Sequence, residues 1–323
     1  MRLKLFNILF ALGCAAVIGS CDTLPQAVPI LKPLTFDDQY YANLRAYKQS
    51  DHEICYGWYS DYAQSYSPGQ HFKALPDSID VVSLWGGIPT PASNPIAYNE
   101  MRYVRLVKGI KMLSVKIIQM QAETWTTLDS AGIIQYGDTL LASVFKNDLD
   151  GMDLDYEPGS DYLKGNNLTI LVKYLAGQLG PQSVNPDKML VIDYYTTLPP
   201  SNVEPYINLL VNQAYTQGTT TSSASFLQSR YNSVSWCPTK KFIVTENIGD
   251  WWATGGSPFT EANGNTLDAY GQQLYSLEGM ARWNPTQGHK GGWGAFYFIR
   301  DYNLDPPYKF MRRGIQDANP AVH

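Results

Sequence analysis

The chain has 323 residues, 44% of them hydrophobic, only 16% charged and with a net charge of −5. That length and apolar share allow a large core and suit an α/β barrel built as one unit. An acidic balance with no basic run speaks against a nucleic-acid partner. Aromatics reach 13%, which suits sugar stacking and an aromatic core equally, so composition does not choose between them.

In chain order, the first feature is a targeting pattern. Arg2 and Lys4 precede an apolar run over 5–18 and then small residues before Cys21, the layout of a secretory signal. The run is short for a membrane span and lacks a second charged flank. Ile18-Gly19-Ser20-Cys21 resembles a bacterial lipobox, in which the cysteine is acylated and becomes the new N-terminus. The expected division is a lipoprotein signal at 1–20, a tether at 21–45 and one barrel domain at 46–323. Pro25 and Pro29 keep the tether extended. The expectation is therefore an exported protein, lipid-anchored at Cys21 to a bacterial membrane, on its periplasmic or cell-surface side. An exported protein could pair Cys55 with Cys237, but two buried free thiols fit the spacing equally well.

Short apolar, β-branched or aromatic runs then recur at 54–59, 79–85, 110–117, 151–156, 189–195, 207–215, 241–246 and 293–299. Helix-like segments lie between most of them, among them 98–107, 131–145, 168–179, 226–235 and 266–283. Alternating β and α at this spacing predicts a parallel sheet. Eight strands in one such chain predict a closed (β/α)₈ TIM barrel. The gap from Thr196 to Pro205, with Pro199 and Pro200, is too short for a full helix. The crossover after the fifth strand is therefore expected to be reduced.

The most informative stretch is Asp148-Leu-Asp-Gly-Met-Asp-Leu-Asp-Tyr-Glu157-Pro-Gly. Alternate side chains of a strand share a face, so Asp153, Asp155 and Glu157 point one way and Met152, Leu154 and Tyr156 the other. The apolar set suits packing on outer helices. The acidic set would sit inside the barrel, where unpaired charge is costly. Close carboxylates suppress one another's ionisation, so at least one is expected to hold a proton near neutral pH, as a general acid must. Glu157 stands at the C-terminal end of its strand, the face where barrel enzymes place chemistry. A calcium loop is the competing reading, but the mid-loop glycine and distal glutamate of the common type are missing.

Asp150-x-x-Asp153-x-Asp155-x-Glu157 resembles the signature of glycoside hydrolase family 18, whose fold is a (β/α)₈ barrel. The resemblance implies a substrate-assisted mechanism, in which the substrate's own N-acetyl oxygen is the nucleophile. It implies Glu157 as acid and then base, Asp155 as orienter of the acetamido N–H, and Asp153 as its proton-sharing partner. Asp150 is expected to be structural. A tyrosine closing the sixth strand commonly holds the acetamido oxygen, and Tyr215 fits, with Gln213 on the same face.

Chitinases of this family carry Ser-x-Gly-Gly on the third strand and a tryptophan on the eighth. Here Leu113–Ile117 has no glycines, and the eighth run has no internal tryptophan; Phe296 or Tyr297 would replace it, and Tyr297 is the expected one. These departures make the chain similar to the endo-β-N-acetylglucosaminidase branch, which cuts the GlcNAc-β1,4-GlcNAc core of N-glycans. A chitinase, or a glycan-binding lipoprotein without turnover, is the alternative. Further substrate-binding candidates at strand ends are Trp58, Trp85, Glu246 and Asn247. The four histidines are scattered, so no metal and no cofactor is expected, and nothing in the sequence signals an oligomer.

Overall fold

Eight of the runs pair side by side, all parallel, and close into a barrel in the computed structural model. The structure describes residues 36–62, 71–121, 125–216 and 221–320. The signal, most of the tether and Cys21 lie outside the described residues. Two compact units are defined, one ending at Tyr40 and the other, Tyr41–His323, containing the barrel.

The strands are β1 (Ile54–Tyr59), β2 (Val81–Leu84), β3 (Lys111–Ile117), β4 (Gly151–Tyr156), β5 (Met189–Tyr194), β6 (Leu209–Gln213), β7 (Phe242–Asn247) and β8 (Gly292–Phe296). The ring closes where β1 pairs β8, with Ile54 opposite Gly292 and Tyr56 opposite Gly294. A Cβ on Gly294 would run into the carbonyl oxygen of Tyr56, so this seam admits only glycine. Alternation sorts the side chains. Tyr56, Trp58, Val81, Leu113, Val191, Val211 and Ile243 form one cluster inside the barrel. Met152, Leu154 and Tyr156 join the larger core between sheet and helices.

The helices that cover the sheet begin where the sequence offers caps. For α1 (Pro95–Leu106), Asn94 accepts the Ala97 N–H and Pro95 occupies the first turn. For α2 (Ser130–Phe145), Asp129 accepts the Gly132 N–H. Next comes α3 (Asn166–Leu175), and then α4 (Ala224–Asn232), which is capped by Ser223. Last are α5 (Ser276–Arg282) and α6 (Lys309–Ala318).

Between β5 and β6 stands only a 3₁₀ segment, Ser201–Tyr206, with Pro205 inside it. This is the reduced crossover that the prolines predict. The helix expected at 266–283 is confined to α5. Ahead of it Asp268 accepts the N–H groups of Tyr270 and Gln272, and Gly271 takes a positive φ, so the chain turns rather than coils. The last strand stops at Phe296, not at 299, because Tyr297 adopts φ 60°, ψ 32° and opens a 3₁₀ turn. Cys55 and Cys237 are both buried and free.

Candidate active site

Parity along β4 sends Asp153 and Asp155 into the barrel. Asp153 is 0% exposed, and one of its oxygens, Oδ2, accepts hydrogen bonds from Tyr56 Oη (2.6 Å), Ser83 Oγ (2.7 Å) and Trp58 Nε1 (3.0 Å). Three donors on one oxygen favour its charge. Asp155 stands one layer higher and accepts from Gln213 Nε2 at 3.3 Å. Glu157 lies beyond the end of β4, exposed at the rim.

A fourth carboxyl completes this wall. Asp193 of β5 is paired in register with Asp155 and is 0% exposed. Gln213 Nε2 also donates to Asp193 Oδ1, so one amide bridges two acids. The remaining oxygens, Asp153 Oδ1 and Asp193 Oδ2, are buried with no donor beside them, and the Asp193 carboxyl lies within hydrogen-bond range of both Asp153 and Asp155. Asp193 is not among the candidates named from the sequence. Its signal was present: in Met-Leu-Val-Ile-Asp-Tyr the aspartate shares the inward parity of Val191, whose side chain is inside the barrel.

Electrostatics follow from crowding. Burial, then the charges of Glu157 and Asp153, raise Asp155 from the usual carboxylate range to about 7. Burial, then Asp153 and Asp155, hold Asp193 well above that range. Burial also raises Asp153, against the opposing pull of its Tyr56, Asp193, Ser83 and Trp58 hydrogen bonds. The Tyr215 phenol is pushed well up by burial and then by Asp193 and Asp155, which keeps it a neutral donor. No pair of basic and acidic side chains is needed to assemble this wall; hydroxyls, an indole and an amide supply the donors.

Above it opens a cavity of about 400 Å³. Asp155, Glu157, Gln213, Tyr215 and Asn247 line it together with the rings of Trp58, Trp85 and Phe296. Ile117 and Tyr195, not singled out in the sequence, complete the lining, Tyr195 next to Tyr215 with the two rings 6.1 Å apart. Trp85 and Phe296 meet edge to face at 5.3 Å. Apolar ring faces beside converging acids and amides are what a sugar, with C–H faces and polar edges, requires.

Two expected residues are not in the lining. Tyr297 lies outside it and donates to Asp61 at 3.4 Å, while Phe296, one residue earlier, has the inward parity and lines the cavity. Phe296 pairs with the inward Trp58, so Tyr297 falls on the outward parity, and the backbone turn there ends the strand. Glu246 is also turned away. It is 0% exposed and accepts from Thr216 N and Oγ1, Ser276 Oγ and Asn247 N, at 2.6–3.1 Å. Its neighbour Asn247, of opposite parity, faces the cavity. Asp150 stands just before β4, where its Oδ2 accepts from Arg105 Nε (2.8 Å) and the Met112 N–H (2.9 Å), at the other end of the strand from the cavity. Among the described residues no group of three or more His, Cys, Asp or Glu is placed to hold a metal ion.

Comparison with known proteins finds one family and one shared fold. The family model for the endo-β-N-acetylglucosaminidase EndoS TIM-barrel domain matches residues 45–295. Endo-β-N-acetylglucosaminidase F2 of Elizabethkingia meningoseptica is 27% identical over 330 residues, spanning 94% of this chain and 92% of that protein. The solved structure of a variant of BT1044 superposes with a TM-score of 0.74 at 25% identity, covering 88% of this chain and 93% of its own. The endo-β-N-acetylglucosaminidase of Cordyceps militaris gives 0.66 at 25% identity, covering 90% and 98%. A further structure of that fungal enzyme, a mutant, holds fucosyl-N-acetylglucosamine-Asn. A chitinase from Bacteroides thetaiotaomicron, at 13% identity and a TM-score of 0.56, shares the fold.

Proposed function

Because this chain belongs to the endo-β-N-acetylglucosaminidase EndoS TIM-barrel domain family, we propose that it hydrolyses the GlcNAc-β1,4-GlcNAc core bond of N-glycans. The observation that carries the proposal is the stack of Asp153 and Asp155 inside the barrel beneath a cavity that Glu157 reaches from its rim. In the proposed reaction Glu157 gives a proton to the leaving glycosidic oxygen as the substrate's acetamido oxygen attacks the anomeric carbon. The product of that step is a cyclic oxazolinium, and Glu157 then takes a proton from the water that opens it, with retention. Holding the acetamido group against the anomeric carbon makes the attack intramolecular, which removes much of its entropic barrier.

Each neighbour has a task in this scheme. Asp155 accepts the acetamido N–H and balances the oxazolinium charge. Asp153, with Tyr56, Ser83 and Trp58 attached, fixes the charge below it. Tyr215, kept protonated, donates to the acetamido oxygen, and Gln213 steadies Asp155 from β6. Trp58, Trp85, Phe296 and Asn247 supply the sugar-binding surface. Asp150 anchors the start of β4 through Arg105. The chemistry calls for no metal and no cofactor, and a monomer suffices.

Wild-type protein incubated with an N-glycosylated protein is expected to release glycans, and Glu157→Gln to bind them without release. Turnover undiminished in Glu157→Gln would remove Glu157 from the role. The proposal also includes export and acylation at Cys21. Expressed with its leader in a bacterial host, the protein is expected to partition into detergent, and Cys21→Ser to remain aqueous. Equal partitioning of the two would reject the anchor.

A further inference from the structure

Asp193 has no part in the scheme above, yet with Asp153 it is a fully enclosed acid of the site. Its surroundings can be enumerated. From β4, Asp153 and Asp155 face it; from β6, the Gln213 amide, and just beyond that strand the Tyr215 phenol; from β1, the Tyr56 phenol. Asp193 Oδ1 accepts from Gln213, while Oδ2 and Asp153 Oδ1 are both buried without a donor, and the two carboxyls lie within hydrogen-bond range of each other. Two anionic oxygens cannot face each other in a dry interior, so one proton lies between them. Asp153 already receives three donors on its other oxygen, the environment of an anion. The proton therefore belongs to Asp193.

We infer that Asp193 is a positioning residue that works permanently as a neutral acid, its hydroxyl donating to the β4 aspartates and its carbonyl oxygen fixing the Gln213 amide. The inference rests on the proposed glycosidase reading for its consequence, but not for its chemistry. In this role Asp193 contributes a hydrogen bond and no charge. It leaves the negative charge of the wall on Asp153 and Asp155, where the oxazolinium would need it. It also sets Gln213 with Nε2 toward the two acids, at Asp155 Oδ1 and Asp193 Oδ1. No bond is made or broken at Asp193 during turnover, and its proton does not leave.

A neutral aspartic acid and an asparagine have nearly the same shape, each with one acceptor and a donor. Asp193→Asn is therefore expected to keep kcat/KM within about threefold of wild type and to leave the pH profile in place. Asp193→Leu removes donor and acceptor together. It is expected to lower kcat by roughly 100-fold with KM little changed, and to move the acid limb of the profile upward, because Asp155 loses a donor that holds its pKa down. Loss in Asp193→Asn equal to that in Asp193→Leu would show that a charge is needed and would overturn the inference. Unimpaired Asp193→Leu would show mere packing and would also overturn it.

A second readout is independent of turnover and of whether the leucine variant folds. Infrared spectra recorded near about pH 9, above the Asp155 value, are expected to retain one protonated-carboxyl band in wild type and to lose it in Asp193→Asn. A wild type without the band, or a band that survives the substitution, overturns the assignment. If the wild type cleaves no glycan, the proposed reaction fails while the band still decides the protonation.

Discussion

Replacing Asp155 by asparagine should make the protein more stable as it makes it inactive, and only on one side of the pH scale. Folding carries Asp155 from 3.8 to about 7, chiefly through burial and then through Glu157 and Asp153. A tenfold change in an ionisation equilibrium is worth about 1.4 kcal/mol, so ionising this one group costs about 4 kcal/mol more in the folded state than in the unfolded chain. Asp155 is only 4% exposed, so solvent screens little of this. Part of the relief on substitution passes to Asp153 and Asp193, which share the site, and the expected gain is therefore about 2–4 kcal/mol. The sign follows from the raised pKa. Wild-type stability from this group is full below the unfolded value and is lost as pH rises through about 7. Asparagine stays neutral throughout and keeps the Gln213 contact through a carbonyl oxygen. Urea unfolding at about pH 4, 6 and 8 should give nearly equal stabilities at the first and a growing advantage to Asp155→Asn at the others, with an unchanged denaturant slope. A difference that is flat with pH, or a variant less stable than wild type at about pH 8, would refute the crowding that the geometry implies.

Other substitutions separate the cavity from its supports. Glu246→Ala leaves the donors of Thr216, Ser276 and Asn247 without an acceptor and should cost about 3 kcal/mol in urea unfolding. Its KM should change far less than its stability; a lost affinity with intact stability would restore Glu246 to the sugar site. Phe296→Ala should raise KM about tenfold, the ~1.4 kcal/mol of one lost ring face. Tyr297→Phe, which alters only a contact to Asp61 outside the lining, should stay within about twofold of wild type. The reverse order of these two effects would show that Tyr297, not Phe296, meets substrate.

The fold was readable because period and spacing are direct consequences of backbone geometry. The run Gly151–Tyr156 alternates so regularly that both its ends and its faces follow from sequence, and prolines at 199, 200 and 205 mark the shortened crossover. Boundaries failed where backbone dihedrals left the regular pattern. At Tyr297 a left-handed conformation ends the last strand early, with Phe296 on the inward parity and Tyr297 off it, and no residue type announces that turn. The helix at 266–283 was over-extended because Asp268 and Gly271 turn the chain, a local preference that outweighs apolar spacing. Within the site, the β4 acids were legible as a cluster in one strand. Asp193 was not, because its partners lie on β4 and β6, far away in sequence. Glu246 looked like a site residue by type and strand position, yet its parity gives it to Thr216 and Ser276 instead.

The most direct measurement is the mass of the glycopeptide left after treatment of a defined N-glycopeptide with the purified protein. Cleavage directed by Glu157 above the β4 aspartates should leave asparagine carrying one GlcNAc, with the remaining glycan ending in the other. A peptide stripped of both sugars, or one that stays intact while Glu157→Gln behaves the same, would contradict the account.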